Sequence, residues 1–170
     1  TKQYELLSDL LDWARLQTGN LDAKPEIIPL SPQVELVIDS LKLLATKKNI
    51  EIKNAIDIGT EVYSDHELLR IVPRNLISNS IKFTNSGGLI NISAERKEMY
   101  SEITVSDTGV GIAKEALDKI FRIDVHYSTA GTANEKGTGL GLILCKEIIE
   151  KQKGKIWAES KLNQGSKFTF

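Results

Sequence analysis

The sequence predicts an α+β or α/β sandwich, in which a sheet of several strands is covered on one face by helices. Three observations predict this class. Apolar residues at helical spacing mark three longer segments, alternating apolar residues mark short strands between them, and turns rich in glycine or asparagine separate the two kinds of segment. A further amphipathic helix precedes the sandwich at residues 1–18. Its apolar stripe consists of Tyr4, Leu7, Leu11 and Ala14.

Residues 20–30 are predicted to form a linker, because prolines interrupt them. Ser31 is the predicted N-cap of the next helix and Pro32 its first residue, since both residue types favour these positions. The predicted apolar face of this helix comprises Val34, Val37, Leu41 and Leu44. In residues 50–63 the apolar residues tend to alternate, which predicts two short strands around a turn at Gly59.

A long helix is predicted from the N-cap Asp65 to about Phe83, and a turn at residues 85–88 follows it. The rest of the chain divides by the same two periodicities. In chain order the predicted elements are strands at 90–94 and 103–105, a loop at 107–111, a short helix near 113–119, a lid-like stretch at 121–138, a helix through Leu140, Leu144 and Ile148, and closing strands near 156–158 and 168–170.

Composition and charge exclude several classes of protein. The 22 lysines and arginines are balanced by 23 acidic residues, so the 170-residue chain lacks the basic field on which non-specific nucleic-acid binding depends. Cys145 is the single cysteine, which excludes an internal disulfide and a multi-cysteine metal cluster. No apolar run approaches the ~20 residues of a membrane helix. We therefore predict a folded unit of cytoplasmic character that contacts neither nucleic acid nor a membrane.

Three polar or glycine-rich motifs carry the chemistry of the sequence. They are Asn-Leu-Ile-Ser-Asn-Ser-Ile-Lys-Phe-Thr at 75–84, Asp-Thr-Gly-Val-Gly-Ile at 107–112 and Gly-Thr-Gly-Leu-Gly-Leu at 137–142. On a helix Asn75, Asn79 and Lys82 lie at i, i+4 and i+7, so they share one face. Amide oxygens are hard ligands suited to Mg²⁺, and a lysine beside them neutralises phosphate charge.

The second and third motifs have a different chemistry. Asp107 ends a strand, and the glycines after it let the backbone approach a flat ligand while its carboxylate accepts a bond from an exocyclic amine such as that of adenine. Gly137 to Leu142 opens a helix whose outward N–H groups suit phosphate. Taken singly, each motif is more typical of an ordinary turn or a solvated helix face. Their order and their spacing of about 25 residues favour one shared site.

The three motifs resemble the N, G1 and G2 boxes of the superfamily that joins histidine kinases, gyrase-type topoisomerases, mismatch-repair ATPases and the large heat-shock chaperones. The residues of these motifs are most similar to those of sensor histidine kinases. The segment Ile-Phe-Arg-Ile-Asp at 120–124 resembles the F box of the same family. The resemblance covers residues 31–170. The segment Leu-Leu-Asp-Trp-Ala-Arg at 10–15 resembles the end of the second helix of that family's dimerisation and phosphoacceptor hairpin. A helix that packs on its own domain is the alternative.

The resemblance implies three parts: a hairpin helix end at 1–19, a linker at 20–30 and an ATP-binding catalytic domain at 31–170. It implies a two-layer sandwich in which a mixed sheet is covered on one face by three helices, with the N-terminal helix before it. The implied ligands are ATP and Mg²⁺. The nucleotide is expected between the helices and the lid.

The resemblance also implies roles for individual residues. Asp107 would bind the adenine amine, and Ser166 would assist through a water molecule. Asn79 would hold Mg²⁺, while Asn75 and Lys82 would act catalytically at the phosphates. The remaining implied contacts are Arg122 at the γ-phosphate as a third catalytic residue, and Phe83, Gly109, Gly111, Ile112, Gly137, Thr138, Gly139, Leu140, Gly141 and Leu142 around the nucleotide.

One position separates phosphate transfer from hydrolysis. The hydrolysing members of the superfamily resemble one another in a glutamate four residues before the metal-binding asparagine, where it activates water as a general base. Asn75 occupies that position here. Transfer to another acceptor is therefore favoured, with catalysis mainly by positioning and electrostatics.

The resemblance implies a protein histidine kinase that works with partners. The family's phosphorylated histidine is expected to lie before this chain begins, and His66 and His126 are interpreted as surface residues. The chain alone should therefore not autophosphorylate. Its implied partners are the phosphoacceptor hairpin of the same or a partner kinase chain and a response-regulator receiver, within a homodimeric parent that is cytoplasmic or membrane-anchored. The alternative is a non-catalytic, nucleotide-binding regulatory module.

Pro73 departs from the family pattern, which usually has an aliphatic residue at this place. Proline inside a helix removes the hydrogen bond to the carbonyl of Leu69 and clashes with it, at a cost of ~3 kcal/mol unless the helix bends. We therefore predict a kink near residues 69–73 and a less stable domain.

Overall fold

A computed structural model of the chain describes residues 24–124, 129–135 and 137–170, together with Leu11 and Ala14. The described elements are β1 (Glu26–Pro29), α1 (Leu30–Lys47), β2 (Glu51–Asn54), β3 (Glu61–Ser64), α2 (His66–Phe83), β4 (Leu89–Arg96), β5 (Ser101–Asp107), α3 (Lys114–Leu117), α4 (Gly141–Lys151), β6 (Trp157–Ser160) and β7 (Ser166–Thr169). Leu11 and Ala14 are both helical. The rest of the predicted helix at 1–18, and His126, lie outside the described residues.

The main sheet has five strands in the order β2-β4-β5-β7-β6. Strand β2 runs parallel to β4, and the other neighbouring pairs are antiparallel, so the sheet is mixed as the resemblance implied. Strands β1 and β3 form a separate antiparallel pair. The two strands predicted around Gly59 are therefore present, but each pairs with a strand elsewhere in the chain.

The core lies between the main sheet and helices α1, α2 and α4. Alternate residues of the central strands turn inward and are buried, as a period of two requires: these are Ile90, Ile92, Ile103, Val105 and Phe168. Each such side chain contributes about 1.5–3 kcal/mol on burial. Within the described ranges, none of the helices combines the length and the hydropathy that crossing a membrane requires.

The predicted apolar face of α1 is correct except at its last member. Leu44 is 45% exposed, whereas Ala45 is buried. The buried residues of α1 recur at intervals of three or four. The interval after Leu41 is four, so the buried position is Ala45 and Leu44 lies beside the buried stripe.

The start of α1 also differs from the prediction. The helix begins at Leu30 with Pro29 at the N-cap, because Leu30 is fully buried and its amide donates to the carbonyl of Thr60 at 2.9 Å. Ser31 therefore lies inside the first turn, where its Oγ accepts a hydrogen bond from Nδ2 of Asn54 at 3.1 Å. Residues 26–29 of the predicted linker form β1.

Helix α2 matches its predicted limits. Oδ1 of Asp65 accepts a hydrogen bond from the amide of Glu67 at 2.9 Å, as an N-cap does, and the helix ends at Phe83. The helix continues through Pro73, which is buried. The kink at 69–73 stays a prediction.

Replacing Pro73 by Leu should raise the melting temperature. The new amide can donate to the carbonyl of Leu69, which recovers part of the ~3 kcal/mol that an internal proline costs. We expect a gain of roughly 3–8 °C in a thermal unfolding experiment. Pro73→Ala serves as a second variant, because it restores the amide without adding volume to a buried position. No gain in either variant would contradict the predicted cost.

Candidate functional site

The loop after β5 is held against the end of α2. The amide of Val110 donates to the carbonyl of Phe83 at 3.0 Å. A Cβ at Gly109 would lie 2.4 Å from that same carbonyl oxygen and 2.8 Å from Oδ1 of Asp107, so a side chain has no space here. The structure thus brings together Asp107, Gly109 and Phe83, three of the predicted site residues.

The carboxylate of Asp107 is enclosed by three donors. Its Oδ1 accepts from the amide of Gly109 at 2.9 Å and from the amide of Ser166 at 3.2 Å. Its Oδ2 accepts from Oγ of Ser80 at 3.1 Å. A carboxylate offers about four acceptor positions, so capacity for a further donor remains on Oδ2.

Ser80 is a site residue that the sequence interpretation missed. Its side chain is only 1% exposed, although serine is usually a surface residue. It lies three and four residues after the buried Ile77 and Leu76, on the apolar face of α2. A polar residue on the buried face of a helix was the signal that could have identified it.

Burial raises the pKa of the Asp107 carboxyl above its ordinary value. The hydrogen bonds from Gly109, Ser80 and Ser166 act in the opposite direction, since they favour the charged form, but they offset the effect of burial only in part. The three donors therefore fix the orientation of the Asp107 carboxylate. Asp107 is only 9% exposed, and burying its charge reduces the stability of the fold.

The turn between β6 and β7 closes the other side of this carboxylate. Gly165 has a positive φ of 81°, and a Cβ there would lie 1.9 Å from the carbonyl oxygen of Asp107. This close approach places the amide of Ser166 on the carboxylate directly, while Oγ of Ser166 lies 3.0 Å from Oγ of Ser160. Ile112 joins the same group, because its amide donates to Oγ of Ser160 at 2.8 Å.

Gly111 holds the loop after β5 against the turn between β6 and β7. Its φ is +70°, a conformation that glycine adopts readily, and a Cβ would lie 2.1 Å from the carbonyl oxygen of Lys161. The amide of Asn163 donates to the carbonyl of Val110 at 2.7 Å. Gly109 and Gly111 therefore shape the surroundings of Asp107 by letting backbone approach backbone on both sides.

The glycine-rich motif before α4 packs against Asn75. A Cβ on Gly141 would lie 2.8 Å from Oδ1 of Asn75, whose Nδ2 donates to the carbonyl of Ile71 at 3.0 Å. Gly139 has a positive φ of 75°, and the amide of Leu140 donates to Oγ1 of Thr138 at 3.2 Å. Leu142 is partly buried against the core, and Gly137 lies in the same described stretch.

The two other residues of the predicted helix face lie near these groups on α2. Asn79 is half-buried, one turn after Asn75. Nζ of Lys82 lies 4.6 Å from the centre of the Phe83 ring, which is a cation–π distance. The structure therefore brings the first and second motifs together at the end of α2.

Arg122 and His66 are placed apart from these contacts. The guanidinium of Arg122 makes its described hydrogen bonds to Asp124, from Nε at 3.0 Å and from Nη2. These bonds raise the pKa of Arg122 and lower the pKa of Asp124. Half of the His66 side chain is exposed, and its Nε2 lies 3.3 Å from Oε1 of Glu26. The role of Arg122 at a γ-phosphate stays a prediction.

Comparison with known proteins identifies the family. The family model described as "Histidine kinase-, DNA gyrase B-, and HSP90-like ATPase" matches residues 64–170. The adaptive-response sensory kinase SasA of Rippkaea orientalis is 34% identical over 168 residues, which are 97% of this chain and 42% of that protein. The histidine protein kinase DivJ of Caulobacter vibrioides is 30% identical over 95% of this chain and 27% of that protein. The chain thus spans less than half the length of these relatives.

Solved structures agree with the sequence relatives. The catalytic domain of the histidine kinase ThkA superposes with a TM-score of 0.75 at 30% identity, covering 86% of this chain and 93% of that domain. Full-length ShkA in complex with AMPPNP superposes with a TM-score of 0.80 at 26% identity, covering 97% of this chain and 34% of ShkA. The chain therefore belongs to the histidine kinase-, DNA gyrase B- and HSP90-like ATPase family, in which it is a catalytic domain of the histidine kinase type.

Proposed function

We propose that this chain binds ATP with Mg²⁺ and is the catalytic part of a two-component sensor histidine kinase. It transfers the γ-phosphoryl group to a histidine of a phosphoacceptor hairpin, from which a response-regulator aspartate receives it. In the transfer, the bond from the γ-phosphorus to the β–γ bridging oxygen breaks and ADP leaves, a phosphorus–nitrogen bond forms to the histidine, and the imidazole proton passes to water. The observation that carries the proposal is the buried, three-donor environment of Asp107 beside the end of α2.

The adenine is bound through the free acceptor capacity of Asp107. Because Oδ1 already accepts two backbone hydrogen bonds, Oδ2 is the atom that takes the amine. The hydrogen bond from Oγ of Ser80 orients Oδ2. Gly109 and Gly111 let the backbone of Phe83 and of Lys161 pack against the loop that carries Asp107, which fixes the position of the carboxylate toward the base. The complex of ShkA with AMPPNP supports a nucleotide as the ligand.

The phosphates are assigned to the neighbouring groups. Asn79 suits Mg²⁺, since it offers a hard amide oxygen on the same helix as Lys82. Among the described residues, no cluster of three His, Cys, Asp or Glu side chains is placed to hold a metal ion, so the remaining ligands would be phosphate oxygens and water. When bound, Mg²⁺ neutralises phosphate charge. Lys82 adds a second positive charge beside it.

Asn75 favours transfer over hydrolysis. Its amide is held by Ile71 on one side and borders Gly141 on the other. An amide takes up no proton from water at neutral pH, so this position cannot serve as a general base. Catalysis then depends on placing the γ-phosphate and the acceptor nitrogen in line.

The proposal extends to the parent protein. From the resemblance of residues 10–15, we assign residues 1–19 to the end of a hairpin helix and residues 20–30 to its connection with the catalytic domain, and residues 26–29 of that connection form β1. The hairpin comes from the same or a partner chain of a homodimer, and a receiver domain accepts the phosphoryl group. We place the domain in the cytoplasm, where ATP is available, whether or not the parent is anchored in a membrane.

Transfer in trans tests the enzyme against the regulatory alternative. A hairpin fragment of a histidine kinase is incubated with this chain, Mg²⁺ and ATP labelled at the γ-phosphate. We expect acid-labile, base-stable phosphate on the hairpin and none on this chain alone. The matched control is the hairpin with its histidine replaced by glutamine. AMPPNP binding without any transfer to several hairpins would favour the regulatory module.

A further inference from the structure

The C-terminal turn of α2 is held by a lysine from another helix. The last carbonyls of a helix lack intrahelical donors and carry partial negative charge. Nζ of Lys48, the residue just after α1, lies 2.7 Å from the carbonyl oxygen of Ile81 and 3.0 Å from that of Lys82. The carbonyl of Lys82 also accepts from the amide of Thr132 at 3.0 Å. The turn that carries Lys82 is therefore fixed from outside the helix.

The same ammonium binds the segment 131–135, which belongs to the predicted lid-like stretch. Nζ of Lys48 lies 2.6 Å from Oγ1 of Thr132 and 3.0 Å from Oε1 of Glu135. An ammonium has three protons, and here it has four acceptors, two on α2 and two on the segment. The Lys48 side chain is only 14% exposed, so these acceptors replace most of the water that would otherwise surround its ammonium.

The segment 131–135 is folded on itself where it meets α2. Oε2 of Glu135 accepts from the amide of Ala133 at 2.7 Å, and the carbonyl of Glu135 accepts from the amide of Gly131 at 2.8 Å. A Cβ on Gly131 would lie 2.5 Å from Cγ of Lys82, so the segment packs directly on that side chain. Burial alone would raise the pKa of Glu135, but backbone hydrogen bonds and the bond from Lys48 lower it overall.

We propose that Lys48 is a positioning residue for the nucleotide phosphates. Its ammonium holds the segment 131–135 against the last turn of α2, which sets the position of Lys82 and closes one side of the phosphate region. The inference rests on the proposed function, because it takes Lys82 as a phosphate ligand. It does not require Lys48 to touch the nucleotide.

Binding of two ligands to matched variants tests this role. Lys48→Met keeps the length of the side chain and removes its charge, and Lys47→Met is the control, since Lys47 is exposed at the same helix end. We expect Lys48→Met to weaken AMPPNP binding about tenfold and to leave adenosine, which has no phosphate, unchanged. Lys48→Arg should recover part of the affinity. Glu135→Gln should weaken AMPPNP binding in the same way, and the double variant should lose little more than either single one.

Several results would overturn the proposal. A merely structural role would weaken both ligands in parallel, and an unchanged AMPPNP affinity would show that the contact has no role in binding. Exchange of the Thr132 amide in ligand-free protein gives an independent measurement, and it should be faster in Lys48→Met than in Lys47→Met. If the unmodified chain binds neither ligand, the proposed function fails and the positioning role with it. The exchange rates then still show whether Lys48 holds the segment.

Discussion

Replacing Asp107 by Asn should abolish nucleotide binding without unfolding the domain. An asparagine can keep all three hydrogen bonds: its Oδ1 accepts from Gly109 and Ser166, and its Nδ2 donates to Oγ of Ser80, whose hydroxyl rotates to accept. The position that accepted the adenine amine then carries a donor. Two donors face each other, and we expect a loss of about 100-fold or more in affinity.

The same substitution should change the pH dependence of stability. The pKa of Asp107 is raised in the folded state, mainly by burial, so the folded protein holds this proton more tightly than the unfolded chain. The stability that this proton provides is complete below the ordinary aspartate pKa and is lost as pH rises through the raised value. The asparagine side chain does not ionise in this range. The variant should therefore equal or exceed the unmodified chain in melting temperature at neutral pH.

Titration calorimetry with AMPPNP and Mg²⁺, combined with thermal unfolding from pH 4 to pH 8, measures both effects. Asp39→Asn is the matched control, because Asp39 is exposed on α1 and the substitution removes the same charge. The interpretation of Asp107 as the adenine ligand is wrong if Asp107→Asn binds AMPPNP as the control does. A variant that unfolds at pH 7 would instead show that the carboxylate is needed for the fold.

Replacing Gly109 by Ala should damage both the fold and the site. The added Cβ would lie 2.4 Å from the carbonyl oxygen of Phe83, a backbone atom that cannot rotate away. The loop must move, which breaks the 3.0 Å hydrogen bond from Val110 to Phe83 and displaces one of the three donors to Asp107. We expect a loss of about 2–4 kcal/mol in the free energy of unfolding and no measurable AMPPNP binding.

Gly59→Ala is the control for this prediction. Nothing lies within 4 Å of a Cβ at Gly59, so the added methyl should be neutral or should stabilise the chain by a few tenths of a kcal/mol through the unfolded state. Equal melting temperatures for the two alanine variants would show that the loop after β5 can shift to accommodate the methyl group without loss of stability. Retained AMPPNP binding by Gly109→Ala would show that the position of this loop does not control the nucleotide site.

Local sequence patterns were sufficient to predict helices and strands whose caps and apolar periodicity lie within a few neighbouring residues. Helix α2 begins after its cap Asp65 and ends at Phe83 as predicted, because an N-cap and the spacing of apolar residues act along one helix. In strands β4 and β5 the apolar residues alternate, and the inward faces followed from that alternation. The predicted start of α1 was too late, since Leu30 is buried and its amide donates to the carbonyl of Thr60, a residue distant in sequence.

The sequence by itself determined the class of fold and the three motifs, and it predicted a common ligand chemistry for them, since residue type and local spacing carry that information. Only the tertiary structure decided which distant groups meet. Ser80 reaches Asp107 across 27 positions, and Lys48 reaches the carbonyl of Lys82 across 34. Such contacts depend on strand order and helix packing, which no short sequence pattern specifies. The partners that orient the proposed catalytic groups are therefore visible only in the folded chain.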